Sequence, residues 1–179
     1  MSQYALLTAV GQDRPGLVDA VSKVIFDCGC NLEDSRMAVL GGDFAMLILV
    51  SGADEKIEQL LAQAKLAGSK TGLNVQAHKT RAPGEAAQKD ALPYEVEAFS
   101  MDHPGIVQRV SGFFAARKIN IRALETRLTY APVTGLPLFS LHAVVELPSA
   151  ANVMELRQGL EVIGSQENID IELRPVGRR

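Results

Sequence analysis

An internal repeat constrains this chain more than any other feature of it. Sliding the sequence against itself by 89 positions sets Leu7 to Ser22, LTAVGQDRPGLVDAVS, on Val96 to Ser111, VEAFSMDHPGIVQRVS. Under that one shift Ala9, Asp13, Pro15, Gly16, Val18, Val21, Ser22 and Asn31 fall on Ala98, Asp102, Pro104, Gly105, Val107, Val110, Ser111 and Asn120. Two copies of one unit account for nearly all of the 179 residues, so the chain is read as two small domains rather than one large one. The stretch between them, TRAPGEAAQKDALP, is poor in large apolar residues and rich in Ala, Gly, Pro and charge, as a linker is. The expected division is 1–80 for the first unit, 81–92 for the linker, 93–176 for the second unit and 177–179 for a tail.

Periodicity parses each unit. In the first, Tyr4 to Val10 is a short apolar run ended by Gly11 and reads as a strand. Asp13 is expected to cap a helix whose first turn holds Pro15. Leu17, Val21, Val24, Ile25 and Cys28 recur at spacings of three and four on one face, and Gly29 ends the helix as its C′ residue. A hairpin follows, Asn31 to Leu40 and Phe44 to Val50 joined by Gly41-Gly42. Ile57, Leu60, Leu61 and Ala64 mark a second helix, and Asn74 to Lys79 a closing strand. The second unit repeats the order with strands at Tyr94 to Phe99, Asn120 to Tyr130, Leu138 to Leu147 and Ile169 to Arg174. Its helices carry Ile106, Val110, Phe113 and Phe114, then Val153, Leu156, Leu160 and Ile163 behind a cap at Ser149. Its hairpin turns through the longer Ala131 to Pro137 segment, expected to project from the sheet.

The order βαββαβ, twice over, predicts an α+β protein of two tandem ferredoxin-like domains, each with four antiparallel strands and both helices on one face. That leaves an open sheet face in each unit. Along Phe44 to Val50 both alternating sets are apolar, so Ala45, Leu47 and Leu49 would face outwards, and another unit or a partner molecule is expected to cover them. The corresponding strand of the second unit places Ser140, His142, Val144 and Glu146 on that side and reads as more solvated.

Composition narrows the function. The longest apolar run, Phe44 to Val50, is far short of the ~20 residues that span a bilayer. The first residues lack the basic start of a secretory signal, which leads us to expect a cytoplasmic protein without membrane contact. The two cysteines, Cys28 and Cys30, and the three scattered histidines do not supply a zinc ligand set, and the cysteines read as small buried side chains at a helix end. The first unit has nine acidic and seven basic residues, and from Pro93 onward, tail included, there are ten and nine. A protein that gripped DNA would carry a basic surface to neutralise phosphates, so direct nucleic-acid binding is not expected. Nucleophile, base and orienting group do not converge in the sequence, and no catalytic residue is assigned.

Both units place D-x-P-G where the first strand meets the first helix, as Asp13-Arg14-Pro15-Gly16 and Asp102-His103-Pro104-Gly105, and Asn where the second strand begins. A helix N-terminus offers unpaired N–H groups and partial positive charge to a carboxylate, and Gly lets a ligand approach the backbone. Asn31 and Asn120 carry both donors and an acceptor, able to hold an ammonium and a carboxylate. A zwitterionic amino acid fits this chemistry at Asp13, Arg14, Pro15, Gly16, Leu17 and Asn31, and at Asp102, His103, Gly105, Ile106 and Asn120. The same residues also serve a plain helix start, with Asp capping, Pro beginning the helix, Gly packing tightly and Asn turning the chain.

D-x-P-G, the V-x-x-V-S that follows and N-[LI] downstream, in a βαββαβ unit, resemble the ACT domain, a small regulatory module that binds amino acids. The resemblance spans nearly the whole chain as two tandem units. The stretch from Gly11 to Gly52, and CGCNLEDSR (Cys28 to Arg36) above all, is similar to the first unit of the glycine cleavage system transcriptional repressor family. The resemblance implies a non-enzymatic regulator without cofactor, with glycine or another small amino acid as effector. Its implied partner is a DNA-bound transcription activator of the glycine cleavage operon. The second unit has no counterpart to CGCNLEDSR, so a role carried by that motif belongs to the first. A homo-oligomer is expected, and Glu33, Asp34, Ser35 and Arg36 are candidates for the partner surface. The other reading left open is a separately encoded amino-acid-sensing subunit of a metabolic enzyme.

Overall fold

The computed structural model describes residues 2–84 and 90–177. The chain forms two compact units, 1–86 and 87–179. The expected linker residues 85–89, and Arg178 and Arg179 of the tail, lie outside the described residues.

The first unit runs β1 (Gln3–Gln12), α1 (Leu17–Asp27), β2 (Asn31–Leu40), β3 (Asp43–Gly52), α2 (Asp54–Thr71) and β4 (Asn74–Thr80). Its antiparallel sheet has the order β2-β3-β1-β4. The second runs β5 (Ala91–Met101), α3 (Ile106–Ala115), β6 (Asn120–Tyr130), β7 (Pro137–Pro148), α4 (Val153–Glu167) and β8 (Asp170–Pro175), with the order β6-β7-β5-β8. Both are the ferredoxin-like βαββαβ arrangement that the periodicity predicts. β5 starts earlier than Tyr94, because Ala91 and Leu92 continue the ladder against Pro148 and Leu147.

Strand alternation builds each core. Ala5, Leu7 and Ala9 of β1 and Phe44, Met46, Ile48 and Val50 of β3 face Leu17, Val21 and Ile25 of α1 and Ile57, Leu60 and Ala64 of α2. In the second unit Val96, Ala98, Leu141, Ala143 and Val145 meet Ile106, Val110, Phe114, Leu156 and Leu160. Phe113 and Phe114 pack edge to face with centroids 5.2 Å apart, and the Arg117 guanidinium lies 3.8 Å from the Phe113 ring centre. Cys28 is buried at the end of α1 and Cys30 half-buried beside it. Burial, more than the neighbouring Asp27, pushes the Cys28 thiol above its usual value, and burial leads the same shift at Cys30.

Helix ends depart from expectation in two places. Asp13 does not cap α1, and Pro15 precedes the helix rather than opening it; Gly16 is the N-cap residue, left-handed at φ 91°, without a side-chain cap. Asn152, not Ser149, caps α4, its side chain accepting the Glu155 N–H at 3.3 Å. β7 persists to Pro148, so residues 149–151 are needed to turn the chain before the helix can begin. The end of α1 is as expected. Gly29 is left-handed, its N–H reaching the Phe26 carbonyl at 2.8 Å while the Cys30 N–H reaches Ile25 at 3.1 Å, a Schellman closure.

The two open faces share one register, bulge included, and differ in composition. Across the first sheet Asp34, Leu49, Leu6 and His78 lie in one row, and Val10 and Leu47 are 48% and 42% exposed. The matching row of the second sheet is Ala123, Val144, Glu95 and Arg174. Arg174 pairs with Glu95 in that row and also reaches Glu97 and Glu172 of the neighbouring one.

Candidate functional site

The D-x-P-G turn of each unit is pinned by a backbone bond to the hairpin beside it. The Asp13 N–H donates to the Gly42 carbonyl at 3.0 Å, and Asp102 N–H to the Pro137 carbonyl at 3.0 Å. Beyond the turn the chain enters the helix through a left-handed glycine, Gly16 at φ 91° and Gly105 at φ 104°. The first intrahelical bonds are Ala20 N–H to Gly16 and Arg109 N–H to Gly105, so the three N–H groups preceding each have no acceptor within their helix. No side chain caps either start, and a Cβ built on either glycine meets nothing within 4 Å. Each unit thus has an open helix N-terminus with donors and a partial positive charge facing accessible space, suited to a carboxylate.

The flanking residues of the turns play different parts. Arg14 donates to the Thr71 carbonyl at the end of α2, where a cation complements the helix dipole. Its counterpart His103 contacts the Pro104 carbonyl through Nδ1 at 3.3 Å, and its Nε2 is buried with no hydrogen-bond partner among the described residues. Asp13 and Asp102 are exposed and supply the N–H that anchors the turn rather than a cap. Leu17 and Ile106 bury their side chains in the cores, leaving only their backbone to face a ligand.

Asn31 and Asn120 do not join the turns of their own units. Gln12, at the turn end of β1, pairs with Asp43, whereas Asn31 pairs with Ser51 at the far end of β3. The eight residue steps between those partners correspond to roughly 26 Å. Gln12's equivalent Met101 and Asn120 are likewise held at opposite ends of β7, opposite Leu138 and Glu146.

Each Asn is instead held by a carboxylate. Asn31 Nδ2 donates to Glu33 Oε1 at 3.0 Å, and Ser51 Oγ donates to the same oxygen. These bonds, Ser51 first, hold the Glu33 carboxyl below the usual glutamate value. Glu33 reaches Asn31 because the β2–β3 ladder shifts register between Leu32 and Asp34, leaving Glu33 as the extra, bulged residue. In the second unit Asn120 Nδ2 donates to Glu146 Oε2 at 3.1 Å, and Glu146 lies directly opposite it on β7. Sequence reading placed Glu33 on a partner surface and did not single out Ser51 or Glu146, since register across a hairpin is invisible to a shift along the chain. Of the other expected surface residues, Arg36 donates to Asp34 and to the Ser35 carbonyl, all on the outermost strand. Among the described residues no three His, Cys, Asp or Glu side chains converge on a metal position, and no helix is long and apolar enough to cross a membrane.

Comparison with known proteins gives the following. The family profile described as ACT domain matches residues 3–78. The glycine cleavage system transcriptional repressor of Escherichia coli K12 is 27% identical over 165 residues, covering 92% of this chain and 86% of the relative. A UPF0237 protein of Methanopyrus kandleri is 38% identical over 73 residues, 40% of this chain and 81% of that one. Among solved structures, an unknown protein from Galdieria sulphuraria superposes with a TM-score of 0.82 at 29% identity over 99% of this chain and all of that one. A crystal structure assigned as a glycine cleavage system transcriptional repressor superposes with a TM-score of 0.72 at 26% identity, covering 99% of each chain.

Proposed function

Because residues 3–78 match the ACT-domain profile and the second unit repeats the fold of the first, we propose that the chain is a tandem ACT-domain protein and a non-enzymatic, cytoplasmic regulator whose effector is a small amino acid, glycine first. By likeness to the glycine cleavage repressors, its target is a transcription activator protein rather than DNA. The open helix starts behind Gly16 and Gly105 carry the reading: each offers N–H donors that no side chain caps, led by a residue with no side chain, and suits an anion.

A second copy of the chain completes the site. β2 is an edge strand, exposed along nearly all its length, with Met37 at 53% and Leu40 at 76%. Such an edge offers a row of ladder groups to another strand. Antiparallel pairing of β2 with β2 of a second copy sets Asn31 of one against the Leu40 end of the other. That end turns through Gly41-Gly42, and Gly42 is the residue that anchors the Asp13 turn. One ligand then bridges a turn and an Asn that a single unit holds at opposite ends of its sheet. Binding favours the paired form by the difference in affinity between paired and unpaired states, and the paired form presents the surface read by the activator.

Calorimetry of the full chain against each proteinogenic amino acid, run beside light-scattering mass, tests this. Glycine should give saturable heat and shift the mass towards the dimer, and Asn31→Ala should weaken both. Absence of heat from every amino acid at millimolar concentration overturns the reading.

A further inference from the structure

The outward faces of the two sheets are built for different surroundings. On the first, the two central strands present Leu49 beside Leu6, Leu47 beside Thr8 and Ala45 beside Val10, row after row. Leu47 and Val10 remain 42% and 48% exposed. In these rows charge is confined to the outer strands, where Asp34 and Arg36 of β2 pair with each other and His78 lies on β4. On the second sheet, the row matching Arg36, Leu47, Thr8 and Gln76 is Glu125, His142, Glu97 and Glu172. An apolar sheet face is stable when another layer covers it, and glutamates laid on leucines lose water without gaining a partner. A face of the second kind therefore does not cover one of the first.

From this we infer that the open face of the first unit is an interface with the same face of a second copy. Two sheets packed face to face keep their strands nearly aligned, and a two-fold axis achieves that in two ways. With the axis along the strands, β3 covers β1 and β2 covers β4, so Leu49 meets Leu6 and Asp34 meets His78 of the second copy. With the axis across the strands, β2 covers β2, Leu49 meets Leu47 and Asp34 meets Arg36. Either way leucine lies on leucine and the Asp34 carboxylate finds a nitrogen base. The first of these operations, applied to the second sheet, sets Glu125 against Glu172, so only the first unit pairs. Four strands at ~4.8 Å over about seven residues at ~3.3 Å cover roughly 440 Å² per copy. The roughly 900 Å² so buried falls below the ~1,200 Å² at which stable complexes begin, and the pairing is weak and set by concentration. It uses the sheet face, not the β2 edge, and needs no effector, so its failure leaves the amino-acid reading standing.

Sedimentation velocity of the full chain in amino-acid-free buffer, over about 1 μM to about 1 mM, tests this. The parent should pass from one chain to two across that range. Leu47→Glu should remain a single chain throughout, a loss of about a hundredfold or more, because the two-fold axis buries the added carboxylate twice. The fold tolerates a polar residue there, since the second unit has His142 at the same place in its sheet, and circular dichroism checks that it is retained. His142→Glu should pair as the parent does. Asp34→Lys should weaken pairing about tenfold. Adding His78→Asp to that variant restores pairing if the axis runs along the strands, and adding Arg36→Asp restores it if the axis runs across them. A parent that stays single at every concentration, a Leu47→Glu variant that pairs normally, a His142→Glu variant that pairs poorly, or rescue by neither second change overturns the inference.

Discussion

Gly16 should reject a side chain even though there is room for one. Its φ of 91° and ψ of −2° are left-handed, and a Cβ added there finds no atom within 4 Å. Gly16→Ala therefore costs backbone energy alone, roughly 1–2 kcal/mol for an L residue in that region. Stiffening of the unfolded chain offsets ~0.4–1 kcal/mol of it, so a net loss of about 1 kcal/mol is expected. Gly112 should show the opposite sign. It lies inside α3 with an ordinary helical φ, and its added Cβ would meet only Gln108 Nε2 at 3.6 Å. Gly112→Ala should stabilise the second unit by up to ~1 kcal/mol, the difference in helix propensity. Hydrogen-exchange mass spectrometry of the full chain reads the two units separately through peptides of α1 and α3. Amides of α1 that exchange by unit-wide opening should speed up about fivefold in Gly16→Ala, the equivalent of 1 kcal/mol, and those of α3 should slow in Gly112→Ala. Unchanged exchange in Gly16→Ala, or faster exchange in Gly112→Ala, would refute the assignment of cost to φ rather than to space.

Two further outcomes follow from the shifted ionisations. Glu33 is held below the usual glutamate value, so the bonds it accepts contribute fully above the unfolded-state pKa and are lost as pH falls through the lower folded one. The Asn31 side-chain amide resonances should stay constant through the ordinary glutamate range and move only beneath it; a midpoint within that range contradicts the geometry. The Cys28 and Cys30 thiols are pushed up by burial, so less thiolate is present near pH 8 than in a free cysteine. Iodoacetamide should label both more slowly in the native chain than in urea, the half-buried Cys30 ahead of the buried Cys28, and equal native and denatured rates would contradict that burial.

Much of the fold was legible because the repeat and the period agree. The bounds of β2 and β6 were readable to the residue, since Asn31 and Asn120 follow a helix stop and Leu40 and Tyr130 precede turns. The helix starts were not. Asp13 with Pro15 two residues on mimics a capped start, but a left-handed Gly16 cannot be part of the helix, and α1 begins one residue later. At α4 the signal was present in Asn152 and Glu155, a polar cap with an acid three residues on, and the nearer Ser149 obscured it. The candidate site was legible in its parts and not in its assembly. Residue spacing shows that Gly16 and Asn31 flank one helix, which puts them at opposite ends of the sheet, but which acid reaches Asn31 depends on the β2–β3 register and its bulge.

The carboxylate on each Asn carries a lesson about inheritance. What the two halves share at this place is a bond whose donor stays put and whose acceptor has crossed the ladder, from the bulge of β2 to the opposite strand β7. Aligned column by column, Glu33 meets Arg122 and the feature would be scored as lost. Relatives of this chain are better sorted by asking which residue, on either strand, can reach that amide.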